Sequence, residues 1–261
     1  MKISVVTVCY NSATTIRDTI ESVLSQKHKN IECIVVDGGS TDETVAIVKA
    51  FGDKISKLIV EPDEGIYDAM NKGIKASTGE LVGILNSDDI YYSVDSLSCI
   101  AKTFEHNREL EIVFGDIIYT RINEVNKIVR YYSSKYFKPW KLRFGWMPPH
   151  QATYVKREAY LRYGLYKIDY KIAADYEMFI RWLAIEKLAY RRINKIIVNM
   201  RMGGVSTSGL RSNLILNREI VRACKSNGIY TNIFLVLSKM PLKLLELINR
   251  PRESMSVPGA G

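Results

Sequence analysis

The sequence predicts an α/β protein with a mostly parallel central sheet and helices on both faces. Three observations point there: short, almost wholly apolar and β-branched runs, amphipathic stretches between them, and a polar or acidic residue at the carboxyl end of each run. Strand, helix, strand, helix at this spacing gives right-handed βαβ units. In such sheets ligands bind outside the carboxyl ends of the strands.

Residues 3–9 are apolar enough to be buried on both faces of a sheet. Asn11 and Ser12 are suited to cap a helix over about 14–25, where Ile16, Ile20, Val23 and Leu24 recur at helical spacing. A second buried strand spans 31–36. Ser40-Thr41-Asp42-Glu43 then has the S-x-x-E form of a capping box, ahead of a helix face begun by Val45, Ile47 and Val48. Residues 55–60, the helical 66–76 and the strand-like 80–85 continue the alternation. After about residue 120 it loosens: aromatic and basic residues crowd 131–146, and Pro148-Pro149 interrupts the chain. Helix is expected over 174–185, strand over 190–200 and basic helix over 212–226. A further helix over 230–249 gathers Ile233, Phe234, Val236, Leu237, Met240, Leu244, Leu245 and Ile248 largely on one side, with a kink at Pro241. The small, polar stretch 251–261 reads as a disordered tail.

Composition excludes several classes. Among 261 residues, 47% are hydrophobic and 25% charged, which rules out a disordered, collagen-like or coiled-coil chain. Cys9, Cys33, Cys99 and Cys224 lie far apart without a C-x-x-C pair, so neither a zinc module nor a disulfide framework is expected, and a reducing cytoplasm fits. No apolar run reaches 18 residues, and no signal segment is expected at the N-terminus. The formal charge of +9 conceals an asymmetry. Residues 1–120 carry 11 basic and 19 acidic side chains, net −8, whereas residues 121–261 carry 26 and 9, net +17.

The chemistry concentrates at the strand ends. Asn86-Ser87-Asp88-Asp89 puts two adjacent carboxylates after a buried strand, the oxygen-rich setting that Mg²⁺ or Mn²⁺ prefers when it shares a substrate phosphate; the same residues also suit a turn or a helix cap. Asp37-Gly38-Gly39-Ser40 offers a carboxylate beside a turn that lets a ligand approach the backbone, or an ordinary βα turn. Neither G-x-G-x-x-G nor G-x-x-x-x-G-K-S/T occurs, which removes the main support for a nicotinamide or P-loop site.

In order along the chain, Val6-Thr7-Val8-Cys9-Tyr10-Asn11, Val36-Asp37-Gly38-Gly39-Ser40-Thr41-Asp42, Gly65-Ile66-Tyr67-Asp68-Ala69-Met70-Asn71-Lys72-Gly73 and Asn86-Ser87-Asp88-Asp89 resemble the family 2 glycosyltransferases of GT-A fold. Pro149-His150-Gln151 and Ala173-Ala174-Asp175-Tyr176-Glu177-Met178-Phe179-Ile180-Arg181 resemble the acceptor half of the branch that builds colanic acid, O-antigen and capsule repeat units. The resemblance implies a Rossmann-like GT-A domain with a donor-binding half over 1–120, an acceptor-binding half over 121–208 and C-terminal helices over 209–250. Thr7, Tyr10 and Asp37 would hold the uracil and ribose of a UDP-sugar, with Asn71 and Lys72 flanking the nucleotide. Asn86, Asp88 and Asp89 stand at the D-x-D-type motif for Mg²⁺ or Mn²⁺, with Asp88 the implied direct ligand and Asn86 in place of the commoner leading Asp. Asp175 falls at the general base, with Ala174 where the family motif has Glu. His150 and Gln151 would touch the acceptor or the pyrophosphate, and Gly203-Gly204-Val205-Ser206 would form a loop over the donor.

The implied activity is transfer of one hexose, glucose, galactose or an N-acetyl form, from a UDP-sugar with inversion to a β-linkage. The acceptor would be a saccharide on undecaprenyl pyrophosphate at the cytoplasmic face of the inner membrane. Processive members carry Q-x-x-R-W, and here Met178 takes the Gln position before Arg181-Trp182, which points to single addition. The +17 half gains a physical role, since anionic lipid attracts basic surface at about 1 kcal/mol per Lys or Arg. The 230–249 helix would lie in the interface, or pack on its own core or a second subunit of a homodimer. Nucleic acid is the rival partner for a basic, aromatic chain, but no helix-turn-helix, RNP or zinc-finger signature is present, so none is expected. A sugar nucleotidyltransferase would need a Gly-rich basic loop that Tyr10-Asn11-Ser12-Ala13-Thr14-Thr15 lacks. A non-catalytic sugar- or polyanion-binding module is the other alternative.

Overall fold

The computed structural model describes residues 1–122, 124–202 and 209–240. One mixed sheet carries the fold, and its first half is the parallel sheet that the buried runs call for. Strands β1 (Ile3–Cys9), β2 (Ile31–Asp37), β3 (Lys57–Val60) and β4 (Leu81–Ile84) lie in the order β3-β2-β1-β4, all parallel. Side chains on a strand alternate between faces, and both faces of β1 are covered. Val6 and Val8 join Ile34, Val36 and Val82 under helix α3 (Ile66–Ala76), while Val5 and Cys9 join Val35 under α1 (Ile16–Leu24) and, across the same face, α4 (Ser96–His106). Gly73 lets α3 sit this close, because a Cβ there would come within 2.2 Å of Val6.

Beyond β4 the sheet becomes mixed. Strand β8 (Thr153–Lys156) pairs antiparallel with β4 and with β6 (Ile112–Arg121), and β9 (Tyr190–Met202) runs parallel to β6. Strand β7 (Glu124–Tyr132) pairs on β6, and the two-residue β5 (Ile90–Tyr91) hangs on β9. That last pairing returns the end of β9 to the chain just after Asp89. Helices α5 (Arg157–Tyr163), α6 (Ala174–Phe179), α7 (Gly209–Ser226) and the short α8 (Ile233–Leu237) complete the second half, with 3₁₀ turns over Pro139–Phe144 and His150–Ala152.

Several local expectations shift. The second helix, α2, runs only over Thr44–Lys49. The capping box does not form, because the Ser40 hydroxyl donates to Asp37 at 2.6 Å and Asp42 takes over, accepting from the Thr44 N–H at 3.0 Å. Asn11 does not cap α1 either; it adopts φ 48° and its amide oxygen accepts from the Thr41 N–H at 2.9 Å, tying the β1 loop to the β2 loop. The helix expected over 174–185 changes at residue 180 into a wider π-helical turn over Ile180–Ile185. The Gly203–Ser206 loop, the Pro241 kink and the 251–261 tail lie outside the described residues. No helix among the described residues is long and apolar enough to cross a membrane.

Candidate active site

The carboxyl ends of β1, β2 and β4 converge, stitched by short polar contacts. The Asn11 N–H donates to Ser40 Oγ at 2.8 Å, Ser12 and Ser87 share a hydroxyl hydrogen bond of 2.9 Å, and the Thr19 hydroxyl donates to the Ser87 carbonyl at 2.9 Å. Tyr10 stands at the mouth, 62% exposed, whereas Thr7 is buried with its hydroxyl unpartnered. Asp37 is fully buried and spends its carboxylate on its own turn: Oδ1 accepts from the Gly39 and Ser40 N–H groups at 3.0 and 2.7 Å, and Oδ2 from the Ser40 hydroxyl and the Cys9 thiol. Burial, with Asp37 close by, drives the Cys9 thiol far above its usual range, so it stays protonated. Asp63, from the loop after β3, lies directly over Gly38. A Cβ at Gly38 would come within 2.2 Å of that carboxylate.

The two adjacent carboxylates after β4 have separate fates. The turn closed by the Asp89 N–H on the Asn86 carbonyl, at 3.1 Å, sends them in different directions. Asp88 keeps a part-exposed side chain, and burial raises its pKa against the opposing pull of Arg201. Asp89 is 1% exposed with both carboxylate oxygens unpartnered, and burial followed by the charge of Asp88 drives its pKa far up, favouring the neutral acid. A metal ligand must be reachable, and the burial of Asp89 disfavours that role. Asp88 is the more reachable of the two, and the Asn86 amide oxygen beside it is buried without a partner, as a ligand-facing acceptor would be. No cluster of three metal-ligating side chains occurs among the described residues.

Across the cleft, Asp175 opens helix α6. It keeps a solvent-facing edge although protein atoms surround it closely, and burial raises its pKa to about 6. Its Oδ1 accepts from the Tyr176 N–H at 2.7 Å and, at 3.4 Å, from the hydroxyl of Tyr67 on α3. Tyr67 also donates to the Ile172 carbonyl. Helix α3 packs on β1 and β2, so Tyr67 ties the carboxylate to the helix that covers the parallel strands.

Residues 4–167 match glycosyl transferase family 2. This chain belongs to that family. Among its relatives, the PGL/p-HBAD biosynthesis glycosyltransferase of Mycobacterium tuberculosis is 28% identical over 223 residues, covering 84% of this chain and 82% of the relative. An uncharacterized M. tuberculosis glycosyltransferase is 30% identical over 182 residues, covering 69% and 68%. Of solved structures, S. aureus TarS 1-349 in complex with UDP has a TM-score of 0.64 at 16% identity, covering 92% of this chain and 71% of that one. A Pyrobaculum calidifontis mannosyltransferase in complex with GDP-Man and Mn²⁺ also has a TM-score of 0.64, at 17% identity, covering 95% and 73%. These likenesses establish the GT-A fold.

In this family 2 chain, Asp175 lies beyond the matched span and is tied to it through Tyr67. Other residues named from sequence are occupied elsewhere. Asn71 does not face a nucleotide: its amide donates to the Tyr166 carbonyl at 2.8 Å and accepts from the Tyr166 N–H at 2.9 Å. Lys72 is bound to Glu61 at 3.0 Å, Asp68 at 3.2 Å and the Pro62 carbonyl at 2.8 Å; Glu61 first, then Asp68, hold its pKa up. It braces the β3–α3 loop. His150 is buried, bonded to the Tyr166 hydroxyl at 2.5 Å, and desolvation lowers its pKa to about 4, so it is a neutral core residue and not a pyrophosphate contact. Gln151 stays half-buried beside it.

The structure adds residues that local motifs did not reveal. Arg201, at the end of β9, is buried; its guanidinium donates to the Asp88 carbonyl, to Asp18 at 2.6 Å and to the Thr15 carbonyl at 3.1 Å. It fixes the loop that presents Asp88. Tyr166 ties Asn71, His150 and Tyr67 together, its ring centroid 5.6 Å from that of Tyr67. Glu219 on α7 accepts three main-chain N–H groups just before α6. Glu219, a charge among the apolar positions of an amphipathic helix, is the one of the three that leaves a sequence signal.

Proposed function

We propose that this family 2 enzyme transfers one hexose, glucose, galactose or an N-acetyl form, from a UDP-sugar to a hydroxyl of a saccharide linked through pyrophosphate to a lipid, with inversion to a β-linkage. The observation that carries this reading is Asp175, a solvent-edged carboxyl with a pKa near 6, hydrogen-bonded to Tyr67 on the helix that covers the parallel strands. A general base works best when its pKa lies close to the working pH. Above pH 6 Asp175 is ionised and accepts the proton of the attacking hydroxyl. The hydroxyl oxygen bonds to the anomeric carbon as the bond from that carbon to the β-phosphate oxygen breaks, and UDP leaves with the electron pair. A single displacement inverts the anomeric centre.

At the donor end, Tyr10 supplies an exposed ring against the uracil, and the unpartnered Thr7 hydroxyl and Asn86 amide oxygen supply free polar groups. Asp88, with the Asn86 amide oxygen next to it, would hold a Mg²⁺ or Mn²⁺ ion, which would supply Lewis-acid stabilisation of the leaving diphosphate. Related folds holding UDP, UDP-GlcNAc and GDP-Man with Mn²⁺ support a nucleotide diphosphate at this place. O-antigen, capsule or exopolysaccharide synthesis is the pathway class that the motif resemblance favours.

Peripheral attachment to the inner membrane surface fits one face of the second half. Trp140 is 62% exposed and Phe234 80% exposed, with Tyr230, Leu237 and Met240 also outward. The 3₁₀ turn bearing Trp140 is joined to the approach to α8 by Arg143 Nε donating to the Tyr230 carbonyl at 3.3 Å. Lys138, Lys141, Arg143 and Lys187 surround them, next to an apolar groove of about 490 Å³ walled by Leu183, Leu188 and Ile229. Aromatic residues among cations suit the anionic headgroup layer.

The test is a donor panel of UDP-hexoses, a dTDP-sugar and GDP-mannose, assayed for nucleotide release with and without Mn²⁺. Metal-stimulated release from one UDP-hexose supports the proposal. Release from GDP-mannose alone, or turnover indifferent to metal, overturns the donor or the role given to Asp88.

A further inference from the structure

Three elements meet in front of Asp175, and one contact among them has no role in the reaction as derived above. Residues 171–173 lead into α6, and Glu219 reaches them from α7. Its Oε1 accepts from the Lys171 N–H at 2.8 Å, and its Oε2 from the Ile172 and Ala173 N–H groups, both at 2.9 Å. Glu219 is 9% exposed. A carboxylate that accepts three main-chain N–H groups is held in one posture. Ile172 is gripped from both sides, because its carbonyl accepts from the Tyr67 hydroxyl that also reaches Asp175. Ala173, the third of the clamped residues, is the N-cap of α6, two positions before Asp175.

We propose that Glu219 is a positioning residue for Asp175: it clamps the main chain leading into α6 and sets a fixed second carboxylate behind the base. The kinetic half of this proposal rests on the reading of Asp175 as the base; the structural half does not. The groups facing Asp175 are Tyr67 from α3, Tyr166 from the segment after α5, Glu219 from α7, and the Tyr176 N–H of its own helix. Glu177, next on α6, is turned away into ion pairs with Lys167 at 2.7 Å and Arg181 at 2.9 Å. Glu219 is thus the nearby charge that opposes ionisation of Asp175, and the hydrogen bonds from Tyr176 and Tyr67 act against it. Arg201, which donates to the Asp88 carbonyl, lies at the end of β9, and Glu219, which braces the approach to Asp175, lies on the next described element, α7.

The experiment is a ¹³C NMR titration of the aspartate side chains in the full-length protein, with Asp175→Asn identifying the Asp175 signal, alongside the pH profile of kcat/KM. In Glu219→Gln, which preserves volume and removes charge, the Asp175 titration should move to lower pH by about half a pH unit, and the acid limb of kcat/KM should move with it. Glu219→Asp keeps the charge but is too short to span the three N–H groups; its acid limb should stay in place while plateau kcat falls about tenfold or more. An unmoved Asp175 titration in Glu219→Gln, or wild-type kcat in Glu219→Asp, overturns the proposal. Should Glu219→Gln fail to fold, the Glu219→Asp rate decides it. A titration that moves without the acid limb leaves the Glu219–Asp175 link standing and removes Asp175 as the base.

Discussion

Replacing Asp175 by Asn should stabilise the protein at the pH where it abolishes turnover. The folded-state pKa of Asp175 is raised to about 6, against about 3.9 for an unperturbed aspartate, because burial penalises the charged form. A carboxyl with a raised folded pKa binds more protons folded than unfolded, so its contribution becomes unfavourable as pH rises from about 4 to about 6 and stays so above. At ~1.36 kcal/mol per pH unit the full cost of ionised Asp175 approaches 3 kcal/mol. Its solvent-facing edge screens part of this, leaving about 1–3 kcal/mol. Asparagine retains an oxygen for the Tyr176 N–H and carries no charge. Urea unfolding of wild type and Asp175→Asn should therefore coincide near pH 4 and diverge above pH 6, with Asn the more stable by about 1–3 kcal/mol, a shift of several degrees in Tm. Equal stability at pH 8, or a gap of the same size at both pH values, would refute the burial argument.

Separate predictions address the other assignments. Asp88→Asn should lower metal-stimulated turnover at least ~100-fold, whereas Asp89→Asn, which replaces a buried neutral acid by a near-isostere, should stay within about threefold, as steady-state rates across a Mn²⁺ titration will show. Arg201→Lys cannot reach the Asp88 carbonyl, Asp18 and the Thr15 carbonyl together, so half-saturation by Mn²⁺ should rise about 10- to 100-fold while the Asp175 titration stays put. Flotation with phosphatidylglycerol vesicles should recover the wild-type protein and lose at least ~90% of a Trp140→Ala/Phe234→Ala variant, since each buried aromatic contributes about 1.5–3 kcal/mol. Unchanged recovery would assign that face to a protein partner or to a second copy of the chain.

The first half of the chain was legible because a strand buried on both faces has to be an apolar run and its exposed carboxyl end a polar one. β1, β2 and β4 show both properties, and α3 begins and ends where its periodicity indicated. Misreadings arose where a side chain's partner is remote in sequence. Asn71 and His150 resemble site residues until Tyr166, 95 and 16 positions away, takes their polar atoms. Asp88 and Asp89 are indistinguishable as letters, and a single turn sends one to the cleft and the other inward. Glu219 and Arg201 carry no motif, since their importance lies in main-chain groups 46–48 and 113 positions distant. The parallel pattern likewise could not extend past β4, because β8 arrives antiparallel from the far half of the chain and changes the sheet.

The role proposed for Asp175 as the base is the centre of the proposed mechanism, and one comparison isolates it. UDP affinity in the presence of Mn²⁺, measured by calorimetry, is set beside the rate of sugar transfer to a lipid-pyrophosphate-linked saccharide for wild type and Asp175→Asn. The mechanism predicts UDP affinity within about twofold of wild type and transfer lowered at least ~1,000-fold, because only proton removal from the acceptor is lost. Transfer retained within about tenfold would contradict it.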